Sequence, residues 1–113
     1  MATLHLTLNK KWFGMILSGE KKEEYREIKP YWKSRLCIST PEGQPLTDDY
    51  KGSCLWSQWD DIVFKNGYSK NSPTMRVRIK NVRIGEGYSL WGAEPNKEYF
   101  VFELGDILET KNV

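Results

Sequence analysis

Cysteine occurs twice and histidine once in the 113 residues. Cys37 and Cys54 form no Cys-x-x-Cys pair and provide no disulfide framework. A His/Cys zinc site would consume nearly that whole inventory, so no metal and no cofactor is expected. A serine or cysteine nucleophile would have to recruit His5, which alternates with Leu4, Leu6 and Leu8. On a strand, that alternation turns His5 away from the leucines and toward the surface. No apolar run approaches the roughly 20 residues of a membrane span, so no membrane partner is expected. MATLHLTL lacks the basic and long apolar regions of a secretory signal, which makes a cytoplasmic location the default. The formal charge of +2 is too small to argue for nucleic acid by itself.

What is present is 39% apolar and 28% charged residues, an ordinary globular balance. The length suits one domain over residues 1–110, with 111–113 as a frayed tail. Five tryptophans and six tyrosines leave some aromatics for stacking as well as for the core.

The most informative stretch runs from Trp12 to Tyr31. Trp12, Met15 and Ile16 at i, i+3 and i+4 predict one apolar face of a helix over residues 10–18. Asn9 suits its N-cap, and Gly19 suits a left-handed end. A strand follows from Lys22 to Ile28, on which Glu24 and Arg26 share a face. Lys21 has the opposite parity and joins them only if the chain turns between Gly19 and Glu23. Pro30 can open a short helix through Trp32, Lys33 and Arg35.

Elsewhere Thr3 to Leu8, Leu36 to Ser39, Asp61 to Lys65, Thr74 to Ile84 and Tyr99 to Leu104 read as strands. Residues 40–51 read as a loop, and Asn66-Gly67 as a turn. Arg76, Arg78 and Lys80 form the basic side of an amphipathic strand. They are either a solvated face or a secondary nucleic-acid contact. The apolar parity slips near Lys80-Asn81, which suggests a bulge. No strand-helix rhythm points to a doubly wound sheet. The expected fold is α+β, a small and mostly antiparallel barrel with flanking helices.

The spacing Gly19-x-Lys21-x-x-Glu24-x-Arg26 after an apolar helix resembles the signature of ASCH domains, members of the PUA-like superfamily. The strand before the helix, the segment Ile62 to Tyr68 and the closing strand before Gly105 extend the resemblance. It implies a PUA-like pseudo-barrel. It also implies an RNA- or modified-nucleoside-binding pocket of Gly19, Lys21, Glu24 and Arg26, with Tyr25, Trp32 or Tyr68 as a stacking wall. A second implied reading is a small metal-independent amidohydrolase acting on acylated pyrimidine nucleosides, using Lys21 and Glu24. Where such proteins carry a threonine, this chain carries Glu24, an anion that changes the charge of the site. A third reading is a protein-interaction module, with Glu24 and Arg26 as a simple ion pair and Lys21 solvated.

Overall fold

The computed structural model describes residues 3–32, 37–39, 55–56 and 59–113. The first strand, β1 (Thr3–Leu8), leads into helix α1 (Lys10–Leu17) and then strand β2 (Glu23–Glu27). Two short strands follow, β3 (Cys37–Ser39) and β4 (Leu55–Trp56). The longer strands β5 (Asp61–Asn66), β6 (Thr74–Glu86) and β7 (Glu98–Lys111) come after them, with a 3-10 turn over Ser89–Trp91 between the last two. Five strands form one sheet in the order β1-β5-β6-β7-β2, and β3 and β4 pair separately in antiparallel fashion.

The class is α+β, and the five-stranded sheet is mixed. β5 and β6 pair antiparallel, joined by a loop over residues 67–73, so that Asn66, expected in the turn, ends β5 instead. β1 enters parallel to β5, which the expectation of a mostly antiparallel sheet did not include. A parallel pair needs a long crossover, and here α1 lies in the chain between the two strands and packs over β5.

The residues group into two units. The first comprises Met1–Glu24, Trp59–Asn81 and Phe102–Val113. Its register places Leu4 beside Ile62 and Ile62 beside Val77, then Leu6 beside Phe64 and Phe64 beside Met75. All six are buried, so one face of β1, β5 and β6 is continuous core. α1 contributes Phe13 and Ile16, each only 3% exposed. This corrects the expected face: Trp12 and Met15 are half-buried, and Phe13 is the deeper anchor. Phe13 and Ile16 are also three residues apart, so helical spacing alone did not choose between the two faces.

The second unit comprises Tyr25–Gln58 and Val82–Val101. Tyr99, Val101 and Ala93 form its buried cluster, with Tyr25 packed against them. The Tyr25 and Tyr99 ring centroids are 5.7 Å apart. Tyr25 accepts a hydrogen bond from the Tyr88 amide at 2.8 Å.

β6 runs through the expected slip at Lys80-Asn81 as far as Glu86, where burial changes from strict alternation to partial exposure. β7 was expected to close at Leu104 but continues to Lys111, leaving Asn112 and Val113 beyond it. Residues 99–102 are buried on both faces of the strand. Pro30, Tyr31 and Trp32 are helical as expected. The expectations for Lys33, Arg35 and Leu36, for the loop over 40–51 and for Cys54 lie outside the described residues. Among the described residues no helix is long and apolar enough to cross a membrane.

Candidate functional site

The site begins with the way α1 stops. Asn9 caps the helix by accepting the Trp12 amide at 3.0 Å. At the other end the Ser18 amide donates to Gly14 O and the Gly19 amide to Ile16 O. Gly19 then takes φ +85, a left-handed conformation that a side chain disfavours. A Cβ there would meet only Lys22 Nζ, at 3.6 Å, so the backbone and not space calls for glycine. The turn brings the Lys21 amide back to Met15 O at 2.9 Å. The next carbonyl, of Lys22, accepts the Leu104 amide at 2.9 Å and ties the turn to β7.

This turn gives Lys21 the reach that strand parity denied it. Its ammonium lies 2.9 Å from Glu24 Oε1 and also donates to the Glu23 carbonyl. The Trp12 ring centroid lies 5.7 Å from the same nitrogen, within cation-π range. Lys21 is 1% exposed and Glu24 6% exposed. The solvated Lys21 of the interaction-module reading is corrected by this burial. The aliphatic stem continues the core, and a carboxylate and a carbonyl replace water around the ammonium.

A cavity of about 220 Å³ adjoins this turn, bordered by Gly19, Lys21, Lys22, Gly105 and Asp106 over an apolar floor of Ile16 and Val77. Neither Lys22 nor Asp106 was singled out in the sequence. They reach the cavity because the Leu104–Lys22 hydrogen bond sets the Gly19 turn beside β7.

Arg26 belongs to the second unit, where its guanidinium lies 5.6 Å from the Trp32 ring centroid. The aromatics expected to form a stacking wall are used otherwise. Tyr25 is held by Tyr99 and the Tyr88 amide in the second unit's own core. Tyr68 is 90% exposed and does not line the Lys21 cavity.

The basic row on β6 is not uniform. Arg76 donates to Asp61 Oδ2 at 2.9 Å and to Thr3 Oγ1 at 3.2 Å, while Arg78 and Lys80 are exposed. Burial alone would raise the Asp61 carboxyl. Hydrogen bonds from Thr3 and Arg76, with the charges of Arg76 and Arg78, outweigh it and hold the group below its ordinary value. In the second unit Glu27 is also lowered, first by its hydrogen bond from Lys29 and then by the charges of Lys29 and Lys97. Lys97 is raised, chiefly by its hydrogen bond to Glu94. Among the described residues no cluster of three His, Cys, Asp or Glu side chains is placed to hold a metal ion.

Comparison of the chain with protein-family models, with curated proteins and with solved structures gives no match.

Proposed function

We propose that the protein is an ASCH-like domain that binds a single nucleoside, or one base of an RNA, at the Lys21 turn. The observation that carries this reading is Lys21, buried in an ion pair with Glu24 and bordering a cavity. Ionised side chains are expensive to bury, so this pair is held for more than net stability. The left-handed Gly19 supports the signature's first position, because the turn it makes is what lets Lys21 meet Glu24. The cavity's volume lies below the roughly 300–1,000 Å³ of drug-sized ligand pockets, which suits one base better than a length of strand. Lys22 and Asp106 at its rim offer a donor and an acceptor for a base edge. Arg26 enters this reading through the signature. Arg78 and Lys80, exposed on β6, are its secondary nucleic-acid contacts. The PUA-like pseudo-barrel and a cytoplasmic setting go with the same reading.

Calorimetric titration with cytidine, acylated cytidines and short single-stranded RNAs tests it. A saturable nucleoside complex is expected, weakened in Lys22→Ala and Asp106→Asn, whose rim positions make them removable without unfolding. Multiple turnover of an acylated cytidine that depends on Lys21 would replace this reading with the amidohydrolase. Neither affinity nor turnover with any of these ligands would leave the protein-interaction module.

A further inference from the structure

The outward face of the first unit's sheet carries another cavity, of about 360 Å³. The register explains which residues reach it. Thr7 stands beside Lys65, and Lys65 beside Thr74, in the row that alternates with the buried Leu6–Phe64–Met75 row. Residues of opposite parity lie on the opposite face of a sheet, so this row points away from the core. The loop after β5 adds Lys70 and Ser72, and the end of β7 adds Lys111. Gly67 turns that loop at φ +97, and a Cβ on it would lie 3.4 Å from Ser72 Oγ.

Three lysines therefore border one cavity, and no Asp or Glu does. Lys65, Lys70 and Lys111 have no ion-pair partner among the described residues. Ser72, only 7% exposed, also lines the cavity. Like charges around one opening repel each other, and an anion held between them removes that cost. Lysine ammonium groups serve phosphate as compact point charges, and hydroxyls supply the directed donors. The side chain of Val63 gives the cavity an apolar wall. Its volume falls within the roughly 300–1,000 Å³ of small-molecule sites. A single cavity of this volume suits a small ligand better than a nucleic-acid strand.

We infer that this cavity is a binding site for a small phosphorylated molecule with at least two negative charges, of the nucleoside diphosphate kind. It shares no lining residue with the Lys21 cavity and stands whether or not the proposed function does.

ADP and inorganic pyrophosphate, titrated separately by calorimetry at low salt, test this. ADP should bind saturably, and Lys70→Gln/Lys111→Gln should weaken it about tenfold or more while leaving the thermal melt unchanged. Lys70→Gln/Lys111→Gln should weaken pyrophosphate, which carries no nucleoside, as it weakens ADP, and this separates the site from the Lys21 cavity. Pyrophosphate binding as tightly as ADP would assign recognition to the phosphates alone. Weaker pyrophosphate binding would add contacts to the rest of the nucleotide. Absence of saturable binding by both probes overturns the inference, as does unchanged ADP affinity in the double lysine variant. A short RNA that binds through Lys70 and Lys111 more tightly than ADP would overturn it in favour of a nucleic-acid surface.

Discussion

The ammonium of Lys21 and the carboxylate of Glu24 stand 2.9 Å apart with both side chains almost wholly out of water. Such a pair gives little net stability over apolar groups of the same shape, because the Coulombic gain is set against two desolvation costs. Removing one partner is different, since it strands the other charge.

Lys21→Ala should therefore destabilise the protein by about 3–5 kcal/mol, and Glu24→Ala by a similar amount. The double replacement Lys21→Met/Glu24→Gln should recover most of the loss. Urea unfolding of the three variants measures this. A Lys21→Ala midpoint equal to that of the unaltered protein would show that the pair is solvated in solution.

Asp61 predicts an acid limb in the stability curve. Its carboxyl is held below the ordinary value of 3.8, so the fold favours the ionised form. That contribution is complete above the unfolded value, near pH 4, and is lost as pH falls through the lowered folded value. Asp61→Asn should flatten stability between pH 4 and the acid side while reducing it at neutral pH. Unfolding midpoints collected across acid pH would decide this, and parallel curves for the two proteins would remove Asp61 as the cause.

Gly87 predicts a steric effect inside the second unit. A Cβ at this position would lie 2.5 Å from Tyr25 Cε1 and 2.7 Å from Ala93 Cβ. Gly87→Ala should cost about 1–3 kcal/mol, typical of overpacking, even though its backbone conformation tolerates alanine. Thermal denaturation reads the shift. A companion Gly14→Ala, where nothing lies within 4 Å of the added Cβ, should be neutral or slightly stabilising.

Salt separates a base pocket from an RNA track. An RNA track using three or four phosphate contacts at about 0.7 each would give log affinity a slope of about −2 to −3 against log salt. A pocket for one uncharged nucleoside should be nearly flat. It should also lose affinity sharply when the base's hydrogen-bonding groups are changed, because each unpaired buried polar group costs about 1–3 kcal/mol. The proposed pocket expects the flat curve.

The local elements were legible because their causes are local. Asn9 and Gly19 bracket α1 through a side-chain cap and a left-handed residue. Leu4, Leu6 and Leu8 fix the inner face of β1, and Met75 and Val77 that of β6. Gly67 starts the loop that joins β5 to β6. Strand parity also showed that Lys21 needed a turn to meet Glu24, and the turn is there. Alternation could not tell that Tyr25 serves a core, because a tyrosine on a strand looks the same against Tyr99 as against a ligand.

What the sequence determined by itself was the class of fold and the place where its charged turn lies, since propensity, capping and alternation act over a few residues. The tertiary structure decided what those charges experience. Burial of Lys21 depends on Trp12, Glu24 and the hydrogen bond from Leu104, the last more than 80 residues away. The parallel entry of β1 beside β5, and the gathering of Lys65, Lys70 and Lys111 around one cavity, depend on strand register. Register and burial are set by the whole set of pairings at once, and no window of sequence contains them.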